Sequence, residues 1–262
     1  MSKALIANGA GSVIGMVHCL PLPGSFGYGG DMEKILSQAV QDAQTLEKAG
    51  VDAVIVENMG DTPFTAKLNK AQIAALAAAA RKVADAVSIP VGVDAAFNDY
   101  EASLAIAAAA GATFIRVPVF VDTVLFSDGI IYPCAHDCVN YRKRMGLEHI
   151  KILADCQVKH SYMLCPSISI EASAKEAAGA GADGIIITGS VIGEETPIEM
   201  IARVKKVVKI PVFAGSGVKP ANVREQLTIA DGCIVGSSFK KDGVLTNPID
   251  YALARELIEA KG

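Results

Sequence analysis

Two short apolar runs near the end of the chain each stop at glycine and serine. Pro211-Val212-Phe213 leads into Gly215-Ser216-Gly217, and Cys233-Ile234-Val235 leads into Gly236-Ser237-Ser238. Glycine at a strand's exit lets the backbone come close to a ligand. Main-chain N–H groups there, with a helix N-terminus nearby, suit a phosphate dianion. Between the two runs, Lys219-Pro220-Ala221-Asn222 reads as a helix opening, with Pro where a missing N–H is harmless. Gly215, Ser216, Gly217, Gly236 and Ser237 are therefore expected to bind phosphate. Taken singly, each turn also fits a plain strand-to-helix connection.

Ionisable residues end the other apolar runs. In chain order they are His18, Glu57 with Asn58, Asp94, Arg116 and Asp155, with Lys159 just beyond. Polar groups that close apolar strands are costly to bury without partners, so their grouping predicts one site. His18, Glu57, Asp94 and Asp155 are candidates for acid/base work. Arg116 either neutralises substrate charge or forms a structural ion pair with Glu57, Asp94 or Asp155. Lys159 is either a Schiff-base nucleophile or a solvated or phosphate-binding cation. Asn58, and Thr188 with Gly189 in the stretch TGSVIG, are candidate substrate contacts. No particular cofactor is indicated. A divalent metal on His18, Asp94 and Asp155 fits by residue type, but no metal-ligand spacing is present. Cys134, His136 and Cys138 in PCAHDC lack a usual zinc spacing and a fourth ligand.

Eight strands must carry these residues. Apolar runs predict strands over 13–19, 53–58, 91–94, 114–120, 151–156, 184–189, 211–213 and 233–235. Helical spacing predicts helices over 31–49, 70–87, 99–110, 137–145, 170–180 and 197–208, another from 219, and a last over 248–260. Three helices close alike, in KAGVDAVIV, AAGATFIRV and GAGADGIII, with a glycine, a two-residue link and a strand. This quasi-repeat favours a closed (β/α)8 TIM barrel over an open doubly wound sheet. In such a barrel, chemistry gathers at the carboxyl ends of the strands and phosphate sits after the seventh and eighth, where the glycine turns fall.

A length of 262 residues suits a single barrel domain over residues 1–262. The chain is 51% hydrophobic, as buried parallel strands require. A net charge of −4 and the absence of Trp argue against a nucleic-acid partner. Neither a signal peptide nor a membrane span is legible, which leaves peripheral membrane association open. Six scattered cysteines fit reduced thiols and a cytoplasmic location. The loops over 20–30 and 121–135 are rich in turn residues; the second reads as a lid or an oligomer contact, and a homo-oligomer is expected.

The segments VIGMVHCLPLPG, GVDAVIVEN with the following DTPF, VGVDAAFND, FIRVPVF, ILADCQVKH, GSGVKPANV and DGCIVGSSFKKDG run in order along nearly the whole chain. Together they resemble the BtpA/SgcQ family, a branch of the ribulose-phosphate-binding barrels. The resemblance implies that barrel and one of two roles. One is an enzyme of phosphosugar conversion; the other is a membrane-associated factor in thylakoid biogenesis and photosystem I assembly. It also leads one to expect Asn where this chain has Asp94. The rim of ionisable residues beside phosphate turns favours the enzyme. The expected substrate is a phosphosugar or a nucleotide-like compound, and the expected chemistry isomerisation or epimerisation by proton abstraction, then lyase chemistry through Lys159. The alternative is a non-catalytic assembly factor on an enzyme fold.

Overall fold

The computed structural model describes residues 11–189 and 195–262. Eight parallel strands close into a barrel: β1 Ser12–His18, β2 Ala53–Glu57, β3 Val91–Asp94, β4 Phe114–Val117, β5 Lys151–Cys156, β6 Gly184–Ile187, β7 Val212–Ala214 and β8 Gly232–Val235. Each pairs with its sequence neighbours, and β1 pairs with β8 to complete the ring. Helices α1 Met32–Ala49, α2 Lys70–Ala86, α3 Tyr100–Ala110, α4 Ala135–Arg144, α5 Ile170–Gly179, α6 Ile198–Lys205, α7 Val223–Gln226 and α8 Tyr251–Lys261 follow the strands in order.

Local chemistry sets the helix ends. Asp31 caps α1 by accepting from the Lys34 N–H, and Asn69 and Gln72 form a capping box on α2. The three closing glycines of the quasi-repeat, Gly50, Gly111 and Gly181, all take positive φ, at 103°, 75° and 102°. That is the left-handed conformation that ends a helix and is strained for other residues.

Side chains alternate across a strand, so every second residue enters the barrel. Ile14, Met16, Ala53, Ile55, Phe114, Leu153, Ile186, Phe213 and Ile234 form its inner core. Two residues beyond the last inner apolar position of β1, β2, β4 and β5 stand His18, Glu57, Arg116 and Asp155. The polar residues are thus the top inner layer of the same ladder. Register aligns them further: His18 pairs with Glu57, and Glu57 with Asp94.

Two elements differ from the sequence reading. The segment 121–135 is not plain loop: Val124–Phe126 and Gly129–Ile131 form a hairpin, extended by Tyr162–Met163 into a three-stranded antiparallel sheet. Its inner side packs Val124 and Ile131 on Phe97, Val119 and Val158, and Phe126 stacks on Phe97 with ring centroids 3.9 Å apart. The expected helix from 219 begins only at Val223 and runs four residues. Ahead of it, Asn222 accepts from the Lys219 N–H and donates to the Gly217 carbonyl, which makes a side-chain-bonded turn in place of helix.

Candidate active site

A cavity of about 560 Å³ opens at the carboxyl ends of the strands. Its floor is the top inner layer of the barrel. His18 Nε2 lies 3.3 Å from Glu57 Oε2, and both side chains are buried. Asp94 lines the cavity at 1% exposure, 3.7 Å from Arg116 Nε, and neither of its oxygens has a hydrogen-bond partner. Arg116 donates from Nε and a terminal nitrogen to the two oxygens of Asp155, each at 2.8 Å.

These contacts pull the carboxyls apart. Burial, reinforced by the charges of Glu57 and Asp155, lifts the Asp94 pKa well above the carboxylate range, and Arg116 only partly offsets it. Burial acts on Glu57 too, but the His18 hydrogen bond and the nearby cations outweigh it and hold Glu57 below its ordinary value. Burial opposes the charge on Arg116 as well; Asp155 outweighs that and holds the guanidinium above its usual pKa. Two neighbouring carboxyls are thus shifted in opposite directions, an arrangement suited to acid/base work.

The other side of the cavity holds the two glycine turns. Gly215, Ser216, Gly217, Gly236, Ser237 and Ser238 all line it, and Ser238 donates to the Val218 carbonyl at 2.6 Å, tying one turn to the other. A Cβ on Gly236 would sit 2.9 Å from His18 Cε1, so glycine there gives the imidazole its place. Lys159 Nζ reaches across to Ser216 Oγ at 3.2 Å. Burial and the Arg116 charge lower the Lys159 pKa, while Asp155 and Glu57 oppose the shift.

Five residues expected at the ligand lie off the cavity or are engaged with the protein itself. Asp155 is fully buried beneath Arg116, does not line the cavity, and holds the guanidinium through both of its oxygens. Asn58 is also buried off the cavity; it donates to the Ala96 carbonyl and accepts from the Ala96 N–H, joining the loop after β2 to the loop after β3. Thr188 accepts from the Lys159 N–H and so orients that residue. Gly189 is buried off the cavity, and the rest of TGSVIG, residues 190–193, lies outside the described residues. Gly215 lines the cavity, but its N–H donates to the Ile187 carbonyl and is already spent on the strand ladder. Its contribution is space, because a Cβ there would meet Ile186 at 2.5 Å.

Asp155's engagement with Arg116 also removes it from the suggested metal set. Among the described residues no group of three or more His, Cys, Asp or Glu is arranged to hold a metal ion. In PCAHDC, Cys134 and Cys138 are buried while His136 points to solvent, so the three do not converge. All six cysteines are unpaired. No helix among the described residues is long and apolar enough to cross a membrane.

Several lining residues escaped the sequence reading. His160 follows Lys159 into the cavity with a φ of 68°, and Asp122 fixes the start of that loop by accepting from the Gln157 N–H and the Ser173 hydroxyl. Met59, Phe64, Phe97, Pro118, Phe126 and Val158 supply an apolar wall. The only sequence signal for that wall is position just beyond a strand exit, which apolar loop residues share with ordinary packing.

A family model described as the BtpA family matches residues 10–262. An uncharacterised protein of Pyrococcus furiosus is 41% identical over 250 residues, covering 95% of this chain and 94% of that one. The photosystem I biogenesis protein BtpA of Synechocystis is 36% identical over 251 residues, covering 95% and 87%. Among solved structures, thiamine phosphate pyrophosphorylase from Pyrococcus furiosus superposes with a TM-score of 0.59 at 15% identity, covering 95% of each chain. The (S)-3-O-geranylgeranylglyceryl phosphate synthase of Thermoplasma acidophilum, in complex with its substrate sn-glycerol-1-phosphate, gives 0.60 at 15% identity, covering 99% and 98%. At these identities the structural likeness establishes the barrel.

Proposed function

The chain belongs to the BtpA family, and on that premise we propose that it is an enzyme that holds a small phosphorylated substrate in the barrel mouth and moves protons on it. The observation that carries this reading is Asp94, a buried carboxyl that lines the cavity with neither oxygen hydrogen-bonded. A buried polar group is costly to leave unsatisfied, and a ligand in the cavity would satisfy it.

The substrate's phosphate would lie against the turns after β7 and β8, with the Ser237 hydroxyl and Lys159 as donors. That is the phosphate position common in this fold, and two structural neighbours have phosphorylated compounds in their names. The carbon skeleton then lies over the floor. Asp94, carrying its proton, donates to a carbonyl oxygen. Glu57 with His18 takes the proton from the adjacent carbon, and Arg116 offsets the negative charge that develops on oxygen. Delivery of that proton to the former carbonyl carbon, while the enediol's other hydroxyl returns a proton to Asp94, gives isomerisation of a phosphosugar or nucleotide-like compound. Return of a proton to the opposite face of the first carbon, with Asp94 taking back the proton it gave the oxygen, gives epimerisation. Lyase chemistry through Lys159 is less well supported, since its amine is engaged with Ser216 in the phosphate region.

A thermal-shift panel of phosphosugars, nucleotides and inorganic phosphate tests the phosphate site. A ligand at a hundred times its dissociation constant stabilises the fold by about 2.7 kcal/mol. The shift should vanish in Ser237→Glu, which puts a carboxylate where the phosphate would sit. A full panel without a shift, or a shift that survives Ser237→Glu, would sink the reading.

One observation favours a second reading, a docking role in assembly like that in the name of the Synechocystis relative. The outer side of the small antiparallel sheet and its surroundings expose Tyr132 at 68%, Tyr162 at 77% and Leu164 at 55%. Isolated apolar exposure is ordinary, whereas a grouped patch marks contact surfaces. Co-purification from the native host with and without Tyr132→Ser, Tyr162→Ser and Leu164→Ser tests it. A complex recovered only with the unaltered protein supports docking, and identical recovery removes it.

A further inference from the structure

The cavity has two differing sides: glycine and serine turns with Val218, Val235 and Leu245 on one, and a wall of aromatic and aliphatic side chains on the other. In a ring of eight strands, β7 and β8 stand across from β3 and β4. The glycine and serine turns come from the first pair. Phe97 comes from the loop after β3, and Pro118 and Phe126 from the loop after β4, flanked by Met59 and Phe64 after β2 and by Val158 after β5. Between the two sides lie His18, Glu57, Asp94 and Arg116.

The apolar side is built, not incidental. Phe97 is 7% exposed and stacks on Phe126 with the ring planes 5° apart. Asn58 holds the backbone at Ala96, directly before Phe97, through two hydrogen bonds of 2.8 and 3.0 Å. The hairpin that carries Phe126 is anchored in turn, as Asp128 accepts from the Ala66 N–H at 2.9 Å. A small hydrophilic phosphosugar would leave this wall facing water, with no gain from it. An apolar group placed there removes both surfaces from water, and the gain scales with the area covered.

We infer that the substrate is a phosphomonoester of three parts: the phosphate at the β7–β8 turns, a polar reacting segment over Asp94 and Glu57, and an apolar group against the Phe64–Phe97–Phe126 wall. The inference rests on the phosphate-binding reading above and names the substrate class within it. Among small phosphorylated compounds it ranks those with an aryl or hydrocarbon end above simple phosphosugars.

Titration calorimetry of the full chain with inorganic phosphate, sn-glycerol 1-phosphate and a series of phenylalkyl phosphates of increasing length tests it. All the esters carry the same charge, so differences among them report the apolar end. At the length that spans the cavity, a phenylalkyl phosphate should bind roughly tenfold or more tightly than glycerol phosphate, as one or two well-placed apolar contacts provide. Phe64→Ala and Phe97→Ala should each erase most of that preference and leave glycerol phosphate affinity unchanged. Phe64 is only partly buried, so its variant serves if Phe97→Ala melts early. Equal affinity across the esters would overturn the apolar assignment and leave the phosphate site standing. A preference that survives both variants would also overturn it. Failure of every phosphate compound to bind would remove the phosphate reading itself, and this inference with it.

Discussion

Asp155→Ala should lower the stability of the protein by about 3–5 kcal/mol, the cost of stripping one partner from a buried ion pair. Asp155 is fully buried and accepts both of its 2.8 Å hydrogen bonds from Arg116. Without it the guanidinium keeps its charge inside the barrel with no hydrogen-bonded carboxylate, only Asp94 at 3.7 Å and the charge of Glu57 around it. For a domain of this size the loss corresponds to a melting temperature lower by on the order of 10 °C. The double variant Arg116→Met with Asp155→Leu should recover much of it, since a buried pair exchanged for apolar residues is often neutral. If Arg116 has the role proposed above, the double variant should also lose activity, because the guanidinium that offsets charge on the substrate oxygen is gone. A single variant that melts within a degree or two of the unaltered protein would show that the pair does not hold the floor together.

Asp94→Asn should act in the opposite sense on the fold and more severely on function. Burial and two neighbouring carboxylates raise the Asp94 pKa, so the native state holds this proton more tightly than the unfolded chain does. Between the ordinary Asp value and the raised one, the native state therefore binds more protons, and stability falls as pH rises through that window. The contribution is fully present below the ordinary value and lost above the raised one. Asn keeps the shape of the protonated acid and cannot ionise, so the variant's stability should decline less across the same window. If Asp94 is the proton donor, turnover should fall by roughly 10²–10⁴-fold while phosphate binding survives. Parallel denaturation series at several pH values read the first effect, and steady-state kinetics on a substrate found by ligand screening read the second. Identical pH slopes with full activity would remove Asp94 from its role.

Residue identity and spacing carried a long way here, for physical reasons that can be named. Glycine at positions 50, 111 and 181 ends helices because only glycine takes left-handed backbone freely, and the three near-identical closures then imply one repeated unit. Strands with two buried faces read as apolar runs, so a polar residue at the end of each run was conspicuous. Because strand side chains alternate, His18, Glu57, Arg116 and Asp155 had to share the inner face with the apolar residues two positions earlier. The barrel, the two glycine turns at one side of its mouth and the ionisable floor were all legible on those grounds.

The division of labour within the floor was not. Asp94 and Asp155 are the same residue at comparable strand exits, yet one faces the cavity without a hydrogen bond and the other is locked beneath Arg116. Only the stagger between strands decides which carboxyl meets the guanidinium, and stagger is a property of the closed ring. Asn58, Thr188 and Gly215 look like ligand residues in sequence and proved to be committed to Ala96, Lys159 and Ile187 by contacts that loop conformation creates. The apolar wall is the clearest case. Phe64, Phe97 and Phe126 belong to three separate loops, and nothing in their local sequence separates them from core. The sequence by itself determined the eightfold repeat, the layer of polar residues and the two glycine turns, because each follows from backbone preference and side-chain alternation within a few residues. The tertiary structure alone decided which acid is hydrogen-bonded to Arg116, which is not, and what faces the glycine turns across the cavity, because those depend on strands and loops brought together from opposite sides of the ring.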